Sequence, residues 1–362
     1  MRVVILSKSL AVGAYQRKAE WIAAQADVEL TVLVPHQWQG RPAERAYVQG
    51  YDLHTLPIRL DGHFHLHYYP TLSRALRALQ PDILHIDEEP YNLATWHAAR
   101  CALHLPQRPR LVFFSWQNLL KTYPPPFRWL EQAVLHAVDA AIVGNQEAHH
   151  VWRAKGFRRP MRVIPQFGVD ESHFQPLPRP PSDTFTIGYA GRLVHEKGVD
   201  ILLRAFARLP TQARLIVLGA GDQLTALRAL AQQLGIAERV AFRPPLSSTD
   251  MPTFYQQLDA FVLPSRSTPR WKEQFGRVLI EAMACGVPVV TSRCGEAPHV
   301  VGDAGMVFEE EDAESLAHHL AQLLDNTQLR QHLARAGRQR VLVHFTMRHI
   351  ADETVNFYRA LM

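Results

Sequence analysis

Twice along this chain, short apolar runs alternate with amphipathic stretches at helical spacing, and this alternation constrains the fold more than any single motif does. A strand covered on both faces reads as an unbroken apolar run, and parallel neighbours need a crossover between them, usually a helix. Repeated strand–helix–strand units therefore predict a parallel sheet with helices on both sides. In the first half, runs at 3–6, 28–34, 83–86, 111–114 and 140–143 read as strands, with helical patterns at 16–25, 72–79, 93–103, 128–137 and 147–154. A proline-rich stretch at 176–181, PLPRPP, then interrupts the pattern. Proline stops both helix and sheet, so this stretch reads as a linker. The second half restarts with strands at 184–189, 215–218, 240–242, 260–263 and 287–291. Its helices fall at 199–208, 223–234, 275–284, 314–324 and 329–341, and a last one at 347–361 spaces Ile350, Val355, Tyr358 and Leu361 for one face. With about 150 residues per domain, 362 residues accommodate two. The fold class is α/β: two doubly wound, Rossmann-like domains, at 1–175 and 182–345, expected to face across a cleft at the carboxyl ends of their strands.

Composition narrows the function classes. No apolar run approaches the ~20 residues of a membrane span. The opening MRVVILSK lacks the charged, apolar and small-residue regions of a secretory signal, which sets a cytoplasmic expectation. Cys101, Cys285 and Cys294 are an odd set without metal-ligand spacing, which fits a reducing compartment. The net charge is +5, with the excess in residues 1–175, where 19 Lys and Arg face 15 Asp and Glu. Its densest piece is Arg153, Lys155, Arg158, Arg159 and Arg162, read either as a solvated helix end or as attraction to an anionic surface or acceptor. Neither a strongly basic module nor interleaved aromatics point to nucleic acid.

The segment at 272–290, KEQFGRVLIEAMACGVPVV, carries the most chemistry. Glu273 lies just before an apolar helix and Glu281 on it, eight positions on; a helical rise would separate them by roughly 12 Å. That is about the span from a hexose across a diphosphate to a ribose. The backbone N–H groups of Phe275, Gly276 and Arg277 at the helix start suit phosphate or sugar oxygens. Taken alone, the two glutamates are also readable as a cap and an unrelated helix-face residue. A second motif, GRLVHEKGVD, follows the first strand of the second half: beginning at Gly191, it sets Arg192 and Lys197 around a strand-to-helix turn, where two cations can face a diphosphate. Gly219-Ala220-Gly221 after the next strand has two glycines of a dinucleotide fingerprint, but Leu224 stands at the third position. It reads as a turn that lets ligand or backbone approach closely, not as an NAD site.

Together these motifs resemble the nucleotide-sugar half of the retaining GT-B glycosyltransferases of the family-four type. GRLVHEKGVDILLRAF, VLGAGD, AFRPPL, DAFVLPSR, EQFGRVLIEAMACGVPVV and GDAGMVF occur in that family's order, and the N-terminal half matches more loosely through MRVVILSKSLAVGAY and VIPQFGVDESHFQP. The resemblance implies a GT-B architecture and a retaining, metal-independent hexosyltransferase. Such an enzyme moves a hexose from a UDP- or GDP-linked donor to a glycan or lipid-linked glycan, with no further cofactor. It implies that Arg192 and Lys197 bind the diphosphate and that Glu273 meets the donor sugar with the Phe275, Gly276 and Arg277 backbone. Val278 and Leu279 amides would lie near phosphate, Glu281 on ribose hydroxyls and Leu246 by the base. Gly13, Gly191 and Gly219 would permit close approach, and the segment 346–362 would pack back on the N-terminal domain. Peripheral contact with an inner membrane face is compatible with this reading.

Two departures stand out. Where the family has a Gly-Gly pair in the first loop, Val12-Gly13-Ala14-Tyr15 keeps one glycine. Where it commonly has a histidine near an N-domain strand end, this chain has Ser115-Trp116-Gln117-Asn118, so Gln117 or Asn118 is expected to substitute as a hydrogen-bonding group. Asp87-Glu88-Glu89, after a strand, is expected to hold acceptor hydroxyls through Glu88, or else to cap the next helix. In an extended segment His63, His65 and His67 would share a face, but no carboxylate or cysteine companion marks a metal site. The alternatives are a non-catalytic sugar-nucleotide scaffold or sensor and a sugar-nucleotide epimerase of the same fold. A phosphorylase would need a pyridoxal phosphate lysine and a longer chain; an oxidoreductase would bind nicotinamide.

Overall fold

A computed structural model describes residues 1–178 and 182–362; residues 179–181 of the proline-rich stretch lie outside the described residues. The chain forms two compact units. One comprises Met1–Gly168 with Met347–Met362, the other Val169–Thr346. The division falls at Gly168 and Val169, ahead of the 175/182 division read from the prolines. The intervening residues run with the second unit because their backbone is bonded there: Arg338 donates to the Phe174 carbonyl at 3.1 Å and Gln256 to that of Gln175 at 2.8 Å.

In the first unit, strands β1 (Arg2–Leu6), β2 (Glu29–Pro35), β5 (Asp52–Leu56), β6 (Ile83–Ile86), β7 (Arg110–Ser115), β8 (Ala140–Val143) and β9 (Met161–Val163) make one parallel sheet in the order β5-β2-β1-β6-β7-β8-β9. A small hairpin, β3 (Gln37–Trp38) and β4 (Arg41–Pro42), stands apart from it. Alternate residues of β1 enter opposite layers, as the strand period of two requires. Val4 and Leu6 join a core with α2 (Leu72–Leu79), α3 (Leu93–Leu103), α4 (Phe127–Ala137) and α5 (Gln146–Ala154). Val3 and Ile5 join one with Ala19 and Ile22 of α1 (Arg17–Ala23) and with Ile350, Val355 and Tyr358 of the last helix, α13 (Met347–Arg359). Edge strands β5 and β9 escape the periodicity because neither forms an apolar run. Only Leu53 and Leu56 of β5 are buried, and β9 is three residues long.

The second unit repeats the plan. Strands β10 (Phe185–Ala190), β11 (Ala213–Leu218), β12 (Val240–Arg243), β13 (Ala260–Leu263), β14 (Val289–Ser292) and β15 (Met306–Phe308) form a parallel sheet in the order β12-β11-β10-β13-β14-β15. Its helices are α6 (Val199–Phe206), α7 (Leu224–Gln233), α8 (Met251–Tyr255), α9 (Arg277–Ala284), α10 (Ala297–Val301), α11 (Ala313–Asp325) and α12 (Thr327–His344). Both orders have the Rossmann form, in which the winding direction reverses once: at β1/β6 in one sheet and β10/β13 in the other. Open parallel sheets place ligands beyond the carboxyl ends of the strands at that reversal. No helix among the described residues is long and apolar enough to cross a membrane.

The last helix is tied to its sheet by a buried polar contact as well as by apolar packing. Tyr358 Oη and Nδ1 of His85, on β6, lie 2.6 Å apart, and burial lowers the His85 pKa to about 3, so the ring is neutral. A neutral imidazole with one nitrogen unpartnered among the described residues depends on the other. Tyr358→Phe is therefore expected to destabilise the first unit by about 1–3 kcal/mol with little change of shape, read from urea unfolding at neutral pH. An unchanged midpoint would show that the contact contributes nothing.

Candidate functional site

At the reversal of the second sheet, the loop after β10 meets the segment after β13. The first carries Gly191, the exposed Arg192 and Lys197, the last in a single turn, His195–Lys197, that precedes α6. The second carries Ser265 and, eight residues on, Glu273. Lys197 Nζ donates to Oε2 of Glu273 at 2.5 Å and lies 4.7 Å from the ring centre of Trp271. Ser265 Oγ donates to the same carboxylate oxygen at 2.9 Å. Glu273 is only 7% exposed, so its charge needs these partners. A cation, a carboxylate, a hydroxyl and an aromatic face are thus gathered within hydrogen-bond or ring-contact distance.

Helix α9 begins at Arg277, two residues later than its apolar pattern suggests. Phe275 is buried, with its ring 5.8 Å from that of Phe345, and Gly276 is the N-cap at φ +81°, a conformation that disfavours any residue with a Cβ. The expected helical rise over eight residues therefore applies only to the Arg277–Glu281 half of the interval. Glu281 sits one turn in, 7% exposed, accepting from Tyr255 Oη at 2.8 Å and paired with Arg277 Nε at 3.0 Å. Burial raises its pKa, opposed by Arg277 and the Tyr255 hydroxyl. The Leu279 amide donates to the Gly276 carbonyl at 2.8 Å, while Val278 is partly exposed at the helix start. Leu246 is 42% exposed on the loop after β12. Gly191 and Gly219 lie back to back at the ends of β10 and β11. A Cβ on Gly219 would stand 1.9 Å from the Gly191 carbonyl oxygen, so this close approach needs glycine.

The other expected residues belong to the first unit. The Gly13 amide donates to the Glu44 carboxylate at 2.6 Å, and Gln16 stitches the Glu44 loop down through the Glu44 carbonyl and the Ala46 amide. At the β1/β6 reversal, Glu88 pairs with Lys8 and lies 3.4 Å from Nε2 of His67. Burial alone would raise the Glu88 pKa, but Lys8 and His67 outweigh it and hold it down at about 2. Its neighbour Glu89 behaves oppositely. Burial pushes it up to about 7, although Ser115 Oγ donates at 2.6 Å and the Trp116 amide at 2.8 Å. The Gln117 side chain donates to the Leu119 carbonyl at 3.1 Å, and its buried Oε1 has no donor among the described residues. Asn118 donates to Glu147 at 3.1 Å.

The three histidines do not share a face. Residues 61–67 form turns in which the Leu66 and His67 amides return to the His63 carbonyl. His67 is buried beside Glu88, and Nδ1 of His65 meets Asn92 at 3.0 Å. The described residues contain no group of three or more His, Cys, Asp or Glu side chains arranged to hold a metal ion. The basic piece at 153–162 is largely structural: Lys155 pairs with Glu131 at 2.5 Å, and Arg153 and Arg159 donate to backbone carbonyls. Ser265, Trp271 and Tyr255 were not singled out in the sequence. Only Ser265, inside the DAFVLPSR run, had a signal that could have drawn attention to it.

The family model for glycosyl transferases group 1 matches residues 170–340, and that for glycosyltransferase family 4 matches residues 19–173. The chain belongs to the GT-B glycosyltransferases of the family-four type. Relatives include a D-inositol 3-phosphate glycosyltransferase of Saccharomonospora viridis, 34% identical over 217 residues, covering 54% of this chain and 49% of that one. Another, of Mycolicibacterium smegmatis, is 32% identical over 254 residues, covering 66% and 57%. The chain spans about half the length of the relatives it matches. Among solved structures, Anabaena Alr3699/HepE in complex with UDP and glucose has a TM-score of 0.76 at 20% identity, covering 99% of this chain and all of that one. Sucrose-phosphate synthase (tll1590) from Thermosynechococcus elongatus has a TM-score of 0.74 at 20% identity, covering 100% and 99%. These structural likenesses establish the fold of this family-four chain.

The raised pKa of Glu89 has a consequence for stability. The folded value, about 7, lies above the ~4.3 of an unfolded glutamate, so its contribution is full below the unfolded pKa and is lost as pH rises through 7. Glu89→Gln removes that dependence. The melting temperature of the variant is expected to gain on the parent progressively from about pH 5 to about pH 8. A constant gap across that range would show an unperturbed carboxylate.

Proposed function

We propose that this chain transfers a hexose from a nucleotide-diphosphate sugar to a hydroxyl of a glycan or lipid-linked glycan, with retention at the anomeric carbon and no metal ion. The observation that carries the reading is the contact of Lys197 with Glu273 at the β10/β13 reversal, with Arg192 exposed on the same loop as Lys197. Breaking the glycosidic bond leaves negative charge on the diphosphate and positive charge on the sugar. In this mechanism Arg192 and Lys197 stabilise the first and Glu273 the second, contacts that strengthen as the bond lengthens. Glu281 holds the ribose hydroxyls. The acceptor oxygen attacks the anomeric carbon from the face the diphosphate leaves, and its proton passes to a phosphate oxygen of the leaving group, so no protein base is required. The products are the glycoside and the nucleoside diphosphate. We assign recognition of the acceptor to first-unit residues that include Glu88, Gln117 and Asn118.

UDP-glucose is the first donor to try, since Alr3699/HepE has been solved in complex with it, and D-inositol 3-phosphate belongs in the acceptor panel because the relatives are named for it. Binding and turnover of UDP-, GDP- and ADP-sugars in the presence of a chelator test the reading. One donor is expected to bind in the micromolar range and to be slowly hydrolysed. Arg192→Ala is expected to lower turnover about a hundredfold, the usual effect of losing one donor to a developing anion. Glu281→Ala is expected to weaken donor binding. NMR of the product from an α-linked donor should show an α-linkage. Binding without turnover would move the chain to the sensor class, release of an altered sugar nucleotide would identify an epimerase, and a β-linked product would refute retention.

A further inference from the structure

Arg266 follows Ser265 at the carboxyl end of β13, and the neighbouring side chains serve the two halves of the charged site. Ser265 holds Glu273, whereas Arg266 holds the turn that carries Lys197. The Arg266 amide donates to the Glu196 carbonyl at 2.8 Å, inside that turn. Its guanidinium donates to both oxygens of Asp200, on the first turn of α6, at 2.7 and 2.8 Å, and to Nδ1 of His195 at 3.1 Å. Its Nε pairs with Glu311 at 2.8 Å, on the segment after β15.

Arg266 is 5% exposed, and a buried guanidinium is unfavourable unless its donors are matched. Here the terminal nitrogens of the guanidinium hydrogen-bond the 195–200 turn, while Nε stands in an ion pair without hydrogen-bond geometry against the 309–312 loop, so the end of β13 is linked to two segments distant in sequence. Glu311 adopts φ +66°, a left-handed conformation that residues with a Cβ avoid. The chain accepts it where it delivers a carboxylate to Arg266. Lys197 Nζ, at the end of this braced turn, has to meet Glu273 and, on the reading above, the leaving diphosphate.

We propose that Arg266 is a positioning residue for glycosyl transfer: it fixes the His195–Lys197 turn and so sets the Lys197 ammonium in the donor site. This inference rests on the proposed role of Lys197. It predicts that Arg266 and Lys197 act as one unit in nucleotide binding. The test is calorimetric titration of the intact chain with UDP and with GDP, using the nucleotide that binds the parent. The variants are Lys197→Ala, Arg266→Ala, the double substitution, Arg266→Lys and the milder Asp200→Asn.

Lys197→Ala and Arg266→Ala are each expected to weaken binding about tenfold, and the double variant no further, because both changes remove the same placed ammonium. Arg266→Lys keeps a charge without the fork and is expected to recover little of the loss. Asp200→Asn, at a half-exposed partner, is expected to give a smaller loss that also disappears in the Lys197→Ala background. It keeps the test decisive if Arg266→Ala does not fold. Additive losses, or normal nucleotide affinity in both Arg266→Ala and Asp200→Asn, would overturn the proposal while leaving the donor reading intact. A silent Lys197→Ala would overturn both.

Discussion

A parallel sheet covered by helices on both faces leaves almost nowhere for charge except the ends of its strands. In each unit of this chain, alternate residues of the central strands enter apolar layers on opposite sides, so polar side chains on the sheet collect in the loops. The single reversal of winding then separates two crossovers and leaves a crevice at one place along the carboxyl edge. Ionic groups gather there in both units: Lys197, Glu273, Arg266 and Asp200 at β10/β13, and Lys8, Asp87 and Glu88 at β1/β6. The chemistry proposed for the protein follows from where the topology allows charge to be placed.

Each of these charges, nearly buried except for Asp200, has a polar or charged partner, and on the proposed function that pairing serves the reaction. Glu273 accepts from Lys197 and Ser265, and Glu281 from Tyr255 and Arg277, so both carboxylates are held in one orientation by the fold. A group already desolvated and oriented needs little reorganisation when a developing charge appears beside it. The unequal pKa values of adjacent Glu88 and Glu89 arise in the same way. One has an ammonium against it, and the other has only neutral donors.

The central architecture was legible because its signal is local. β6, β8, β13, α2 and α3 occupy the residues their apolar patterns indicate, and the Glu-x7-Glu and Arg192/Lys197 motifs lie in consecutive stretches. Besides the five-residue helices α8 and α10, what escaped lies at edges and in turns. β5, β9 and β15 border their sheets and are short or half-exposed, so they lack the unbroken apolar run of a covered strand. The His63–His67 segment alternates as a strand would, yet its amides close turns onto the His63 carbonyl, and its members reach different partners. Gly276 in a left-handed cap delays α9, although Phe275 continues the apolar pattern, because Phe275 is buried for tertiary reasons.

By itself, then, the sequence determined the α/β class, the two rounds of strand–helix alternation and the local motifs around Arg192, Lys197, Glu273 and Glu281, all set within a few tens of positions. Only the tertiary structure decided which charges meet. Arg266 and Asp200 are 66 positions apart, Lys197 and Glu273 are 76, and Lys8 and Glu88 are 80. Nothing in either member of such a pair specifies the other. Their contact exists because β10 lies beside β13 and β1 beside β6, and strand order is fixed by the packing of whole layers.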